Sequence, residues 1–381
     1  VLCLPDAEAA KAADWAKKSG GRLVDARESY EESYRLLETE GTSAQRFELL
    51  NSIANLNSDM GRLENANEAY EKALSIAIAD GDLVKQMICR NNLALNFAAE
   101  YRYSGAIEEL RLVQELLAES PDPEQSIAFH RNSGVIYLNM GELDLARDHF
   151  VIFLKASEET GAPLHQIEAL INLGYLLQHL GDYERGLAYA ERAAAVAAET
   201  GQPRLVREPE ILRAQLLWLL GRSDESIASW ERATKIDAEH GAAIDLAVDR
   251  MGVANVLATV GRTEEAKKMF YEARAVVEES GDGDLRLALC FGLGHAFEKT
   301  DPDSARHYYE KALGIIESTR AAIGGAEVRT GYLGGVRRYY YEEVARYYAS
   351  RAKKNSGWSP LAFLTIERAK ARGLLDIIES S

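Results

Sequence analysis

The sequence has few cysteines, no long apolar run and no flexible linker. Its three cysteines, Cys3, Cys89 and Cys290, lie far apart along 381 residues. This spacing predicts reduced thiols in a cytoplasmic protein, with neither a disulfide framework nor a zinc site. No apolar stretch approaches the roughly 18 residues that a membrane-spanning helix needs. We therefore predict that the protein does not associate with membranes. No stretch rich in proline, glycine and serine divides the chain, so we also predict one continuous structure.

Motifs that carry out catalysis are also missing. The segment 165–169 does not complete a zinc-peptidase HExxH motif, and the segment 281–284 lacks the lysine of a phosphate-binding loop. Cys290 and His295 lie five residues apart on a predicted helix and therefore point to different sides of it. We expect Cys290 to be a buried structural thiol and not a nucleophile. The sequence predicts a protein that is not an enzyme and holds no metal or other cofactor.

Basic residues are in the minority, with 44 Lys and Arg against 60 Asp and Glu and a net charge of −16. This balance excludes a general nucleic-acid-binding surface, which needs a basic stripe. Residues 321–381 hold ten basic and six acidic side chains, so the acidic charge is concentrated in the first 320 residues. Two explanations stay open. Helical surfaces are charged for solubility, or an acidic groove prefers basic or neutral partners.

What the sequence does contain is a repeat of forty residues. Glycine recurs at this interval in two columns, and it adopts the left-handed conformation that commonly follows a helix end. Two columns per period therefore predict two helices per period, and a fixed period predicts a solenoid of stacked helix pairs. Tyr101 and Thr300 replace glycine in the first column. The glycines are Gly21, Gly61, Gly141, Gly181, Gly221 and Gly261 in the first column and Gly41, Gly81, Gly161, Gly201, Gly241 and Gly281 in the second.

Small side chains recur where two helices of a pair would pack closely. One such column is Ala54, Ala94, Gly134, Gly174, Ala214, Ala254 and Gly294. The pattern predicts eight helix pairs, at about 3–40, 42–80, 82–119, 122–160, 162–200, 202–240, 242–280 and 283–319. Pro209 lies too far into the sixth pair for a helix that starts at Pro203, so this helix is predicted to begin near Arg207 or to kink there.

The repeat resembles the tetratricopeptide repeat, with forty residues as in the kinesin light chain type. The residues of one copy that carry the resemblance are Leu293, Gly294, Phe297, Ala305, Tyr309 and Ala312. The resemblance covers residues 22 to about 319. It implies an all-α, right-handed superhelical solenoid whose first helices line a concave surface, and it implies a scaffold that binds a protein or peptide.

The repeat ends before residue 320, and two capping or linking helices are predicted beyond it. One covers about 326–354, and the other begins with Ser359 as its N-cap and Pro360 at its first position. The sequence ERAKARGLLD at 367–376 is similar to the signature that joins tetratricopeptide arrays to CHAT domains, which are caspase-like cysteine peptidases. This resemblance implies an array at 1–319 and a linking segment at 320–381. It also implies that the array senses a ligand for a peptidase in cis. The alternative is a capping helix with a chance pattern.

Polar and aromatic side chains mark the expected binding surface. Asn92, Asn132 and Asn172 recur once per repeat, so we expect them to project in a row. Asparagine offers both a donor and an acceptor to a peptide backbone, and the segment 90–94 is similar to asparagine-bearing helices of kinesin light chain. The predicted peptide-binding residues are Asn51, Asn55, Asn92, Arg131, Asn132, Asn172, Tyr175, Gln215, Trp218, Asn255 and His295. The alternatives are hydrogen bonds within the array for the asparagines and core packing for Trp218.

Two other functions stay open at this point. One alternative is a free-standing adaptor of the kinesin light chain or polarity-scaffold type. The other is the regulatory array of a signalling phosphatase or a transcription factor.

Overall fold

The computed structural model describes residues 41–240, 243–322 and 336–368, which are almost entirely helical. No strand occurs within these ranges, and the predicted all-α class is confirmed. The helices are α1 (Ser43–Asp59), α2 (Leu63–Ala79), α3 (Leu83–Ala99), α4 (Tyr103–Glu119), α5 (Pro123–Met140), α6 (Leu143–Glu159), α7 (Pro163–His179), α8 (Tyr183–Glu199), α9 (Arg207–Leu219), α10 (Ser223–His240), α11 (Ala243–Thr259), α12 (Thr263–Ser280), α13 (Gly283–Phe297), α14 (Pro302–Ala322) and α15 (Val336–Ala352).

The chain divides into two compact units, Val1–Phe153 and Leu154–Ser381, and the division falls inside α6. Consecutive helices pack as the predicted pairs. These pairs are α1–α2 and α3–α4 in the first unit, and α7–α8, α9–α10, α11–α12 and α13–α14 in the second. The first helices of successive pairs also touch, as α3 and α5 do in the first unit and α7 and α9 do in the second. The predicted pair at 3–40 and Cys3 lie outside the described residues, and the division into 1–319 and 320–381 stays a prediction.

Left-handed glycines end the helices, as the two glycine columns predicted. Nine of these glycines have positive φ, for example 82° at Gly141 and 71° at Gly281. Tyr101 occupies the same position between α3 and α4 and adopts φ of 59° although it has a Cβ. This conformation costs a non-glycine residue about 1–2 kcal/mol. The turn geometry of the repeat is therefore imposed by packing even where the sequence departs from glycine.

The column of small residues lies where the helices approach one another most closely. A Cβ added at Gly174 in α7 would lie 2.5 Å from a methyl group of Leu212 in α9. A Cβ added at Gly294 in α13 would lie 2.6 Å from the ring of Tyr309 in α14. Ala146 and Ala266 of the second helices are fully buried. These contacts confirm the predicted role of the small residues, which is to let large neighbours fill the space between helices.

The proline at 209 shortens one first helix as predicted. A 3-10 turn covers Pro203–Val206, and α9 begins at Arg207. Pro209 is therefore in the first turn of α9, where its missing N–H has no intrahelical acceptor to lose. The first helix of this repeat therefore begins later than those of its neighbours.

The C-terminal segment forms helices, but the second of them begins at a different residue from the one predicted. The predicted helix at 326–354 is present from Val336 to Ala352, and residues 323–335 lie outside the described ranges. Helical residues begin again at 359 and not at Pro360, because a 3-10 turn over Ser356–Trp358 leads directly into the helix. Asn355 caps this turn by accepting a hydrogen bond from the Gly357 N–H at 3.0 Å. Residues 369–381, with most of the ERAKARGLLD sequence, lie outside the described part.

Candidate binding face

In the first unit, the predicted binding residues lie on the first helices α1, α3 and α5. Asn55 is exposed on α1, and its side-chain oxygen accepts a hydrogen bond from the Tyr70 hydroxyl. Asn51 and Asn92 are half-buried. The Asn51 Oδ1 atom is shielded from solvent and accepts no hydrogen bond within the described part of the chain. This face therefore presents amide groups that its own neighbours do not fully occupy.

Asn132 does not project to solvent, so this part of the predicted row is wrong. Its side chain is only 2% exposed. The Nδ2 atom donates to the backbone carbonyl of Asn91 in α3 at 3.5 Å, and the Oδ1 atom accepts from Arg131 Nε at 3.1 Å. The hydrogen bond to Asn91 links α5 to α3 across the repeat boundary. Asn132 positions the first helices of the unit and is not available to a ligand.

Asn91 is a buried amide of this face that the sequence prediction left out of the site. Its side chain is 2% exposed, yet neither its oxygen nor its nitrogen makes a hydrogen bond to any described residue. A buried amide without partners costs about 1–3 kcal/mol. The signal was present in the sequence, because Asn51 and Asn91 are one repeat apart on first helices.

In the second unit, the predicted residues lie on α7, α9, α11 and α13, and Trp218 of α9 stands out. Its indole is 36% exposed, and Nε1 donates to Thr259 Oγ1 of α11 at 3.3 Å. Trp230 of α10 is the tryptophan that packs in the core. It is 6% exposed and its ring fills the space beside Gly252. Trp218 is therefore much more exposed than the core tryptophan of the same repeat.

The other predicted residues of the second unit lie on its first helices α7, α9, α11 and α13. Asn172, Gln215, Asn255 and His295 are half-buried. The Nδ2 atom of Asn172 donates to no described group and is shielded from solvent. Tyr175 packs on the apolar cluster of α7, α8 and α9, and burial raises the pKa of its hydroxyl to about 12. The face combines an exposed indole, a neutral phenol and several amides, which suits a peptide backbone with an apolar side chain.

The remaining reactive side chains are poorly placed for catalysis. Cys89 and Cys290 are buried. Burial raises the pKa of the Cys89 thiol to about 12 and also raises that of Cys290, which keeps both in the poorly nucleophilic thiol form. His130 and His149, which the sequence prediction missed, face each other with their Nδ1 atoms 3.0 Å apart. Their helices, α5 and α6, are paired in the repeat, so the spacing of 19 residues was the available signal.

Neither a metal site nor a membrane span is found in the described ranges. No group of three or more histidine, cysteine, aspartate and glutamate side chains there is arranged to hold a metal ion. No described helix combines the length and apolar character that crossing a bilayer requires.

Comparisons with known proteins identify the repeat. Tetratricopeptide repeat family models match residues 47–77, 167–200, 211–240 and 246–318, so the chain carries tetratricopeptide repeats. No curated protein matches the chain in sequence.

Solved structures show the same fold over most of the chain. The aspartyl phosphate phosphatase F of Bacillus subtilis has a TM-score of 0.61 and 14% identity, over 98% of this chain and 96% of that one. A Rap protein complexed with competence and sporulation factor has a TM-score of 0.60 and 10% identity, over 97% and 99%. A STAND signal-transduction ATPase of Pyrococcus horikoshii with a tetratricopeptide sensor has a TM-score of 0.60 and 15% identity, over 84% of this chain and 50% of that protein. At these identities the likeness shows the fold alone.

Proposed function

Because the chain carries tetratricopeptide repeats, we propose that it is a protein- or peptide-binding scaffold whose first helices form the binding surface. Arrays of this kind expose one long face of stacked helices, and such faces bind extended segments of other proteins. The observation that carries the proposal is Trp218. A solvent-exposed indole next to half-buried amides is a typical anchor for a partner side chain.

The face of the second unit supplies three kinds of contact. Trp218 offers an apolar surface, because its single hydrogen bond to Thr259 uses only the indole edge. Asn172 on α7 adds a polar contact through the exposed part of its half-buried side chain, whose Nδ2 atom is itself shielded from solvent. Gln215 and Asn255, half-buried on α9 and α11, place further amides beside the indole. A peptide that lies along this face gains hydrogen bonds through its backbone and specificity through one apolar or aromatic side chain.

The finer proposal is that this scaffold is the sensor part of a CHAT-type caspase-like peptidase. It is supported by the ERAKARGLLD sequence at 367–376, which is similar to the signature that precedes such peptidases, and by the basic character of residues 321–381. Ligand binding to the repeats would then be passed to the peptidase through the C-terminal helices. The coding sequence beyond Ser381 tests this idea. A strand-rich extension with histidine and cysteine motifs supports it, and a stop codon supports a free-standing adaptor instead.

A second candidate is a regulatory array of the signalling-phosphatase type. The likeness to the aspartyl phosphate phosphatase F and to the Rap protein extends over nearly the whole of this chain. This candidate predicts that the full chain accelerates the loss of phosphate from an aspartyl-phosphate protein. An unchanged rate of phosphate loss across a panel of such proteins argues against it.

The binding proposal is tested by capture with matched variants of the full chain. Wild type, Trp218→Ala and Tyr271→Ala are immobilised, and captured proteins are compared by quantitative mass spectrometry. Tyr271 is also an exposed aromatic residue, but it lies on a second helix, α12. We expect a specific partner to be lost from Trp218→Ala and retained by Tyr271→Ala. Equal capture by both variants would show that the first-helix face is not the binding surface.

A further inference from the structure

Three charged residues occupy apolar columns of the repeat at a single junction. Arg207, Asp237 and Asp249 lie where the neighbouring repeats have buried apolar side chains. The equivalents in the two flanking repeats are Ile167 and Ala247 for Arg207, Ala197 and Val277 for Asp237, and Pro209 and Leu289 for Asp249. No other junction within the described ranges has charged residues in all three columns. The junction of α9, α10 and α11 is therefore built differently from the rest of the second unit.

The three side chains form a buried ionic cluster. Arg207 Nε donates to Asp237 Oδ2 at 2.5 Å, and Arg207 Nη2 donates to Asp249 Oδ1 at 3.1 Å. Asp249 is 0% exposed and Asp237 is almost as deeply buried. The second oxygen of Asp249 is shielded from solvent and accepts no hydrogen bond from a described group. One guanidinium therefore faces two buried carboxyl groups, and full ionisation of both leaves one negative charge uncompensated.

The other charged groups around Asp249 do not supply the missing cation. On α9, Glu208 pairs with Arg207 at 2.5 Å, and on α11, Asp245 lies 3.7 Å from the same guanidinium. Both are carboxylates, so four acidic groups share one arginine. Burial, with the nearby Asp237 and Asp245, raises the pKa of Asp249 to about 7, although Arg207 acts in the opposite direction.

We propose that Asp249, buried beside Asp237 and Arg207, holds a proton at neutral and lower pH, and that the α9–α10–α11 junction loosens when this proton is released. With the proton on Asp249 Oδ2, this atom donates to the Asp237 carboxylate, and Arg207 balances the remaining single charge. When the proton passes to solvent, two carboxylates face each other across one guanidinium. The repulsion then acts between α10 and α11, and both helices are also held by Arg207 of α9.

This junction reaches the proposed binding face, a consequence that rests on the proposed function. The helices α9 and α11 are linked at two places, by Arg207 with Asp249 and by Trp218 with Thr259. Gln215 on α9 lies between these links. A change in the first link therefore alters the spacing of the side chains that would contact a partner, so binding at this face becomes dependent on pH.

The test uses the full chain without any partner, so its outcome is independent of whether the face binds one. Hydrogen exchange is measured by mass spectrometry at pH 6 and pH 8, with correction for the intrinsic exchange rates. An acid with a folded pKa of about 7 and an unfolded value of about 3.9 makes the protection factor fall about tenfold over this interval. We expect this fall in peptides from α9, α10 and α11, and we expect none in Asp249→Asn, whose amide imitates the protonated acid.

The control is Asp224→Asn, which removes an exposed carboxylate near the start of α10 and should behave like wild type. Equal protection of the junction at both pH values in wild type, or the same fall in Asp249→Asn, overturns the proposal. If the asparagine variant does not fold, Asp249→Leu restores the apolar residue of the column and should also remove the pH dependence. Difference infrared spectroscopy of wild type adds a direct reading. A protonated-carboxyl band present at pH 6 and lost at pH 8 is expected, and its absence at pH 6 contradicts the proton on Asp249.

Discussion

Replacing Gly174 with alanine is expected to destabilise the second unit, because α7 and α9 meet there without room for a methyl group. The added Cβ would lie 2.5 Å from a methyl carbon of Leu212, which is fully buried and has little freedom to move. Overpacking of this kind costs about 1–3 kcal/mol, whereas alanine gains about 1 kcal/mol over glycine in a helix interior. We therefore expect a net loss of up to about 2 kcal/mol in the free energy of unfolding.

The matched control is Gly314→Ala in α14, where no atom of the described chain lies within 4 Å of the added Cβ. This variant should gain about 0.5–1 kcal/mol, since only the helix propensity changes. Urea unfolding followed by circular dichroism measures both values. In a Leu212→Ala background, Gly174→Ala should become less destabilising, because the methyl group then has space. If Gly174→Ala is as favourable as Gly314→Ala, the assigned contact between α7 and α9 is wrong, and so is the register that places the binding face.

Acidification should weaken the α5–α6 pair. Burial, together with the adjacent His149 imidazole, lowers the pKa of His130 to about 4 in the folded protein. The unfolded state therefore binds more protons than the folded state below about pH 6.5, and the free energy of unfolding decreases as the pH falls from there towards about 4. Melting of His130→Leu should depend less on pH, and an unchanged dependence contradicts this. Asn132→Ala should lower the melting temperature more than Asn92→Ala does, because only Asn132 is fully buried; equal melting refutes the linking role. Cys89 and Cys290 should resist iodoacetamide in the native protein, and rapid alkylation or cysteine-dependent peptide cleavage contradicts their burial.

The fold could be predicted from the sequence because each repeat adopts the same backbone conformation. Glycine after a helix end has a local cause, since φ of 75° at Gly221 strains any other residue. The late start of α9 also has a local cause, because Pro209 is accepted only in the first turn of a helix. A local cause of this kind requires a particular residue type at one position, so the feature can be predicted from that residue.

The burial and hydrogen bonding of the candidate site residues were harder to predict, because they depend on distances between repeats. The sequence placed Asn92 and Asn132 in one column, but their burial differs, since only Asn132 reaches a backbone carbonyl of the preceding first helix. The pairing of Arg207 with Asp249 joins residues 42 positions apart. A comparison of the repeat columns shows that Arg207 and Asp249 are both unusual at their positions, but it does not show that their side chains contact each other.

The most direct measurement of the central claim is the affinity of a purified partner for the full chain and for a Gln215→Ala, Trp218→Ala double variant, with the melting temperature of both. These two side chains are at least partly exposed on one face of α9. We expect calorimetry to show at least a tenfold loss of affinity, about 1.4 kcal/mol, with only a small fall in melting temperature from the loss of the Trp218–Thr259 hydrogen bond. A lower melting temperature with unchanged affinity would mean that these residues stabilise the repeats and do not bind the partner.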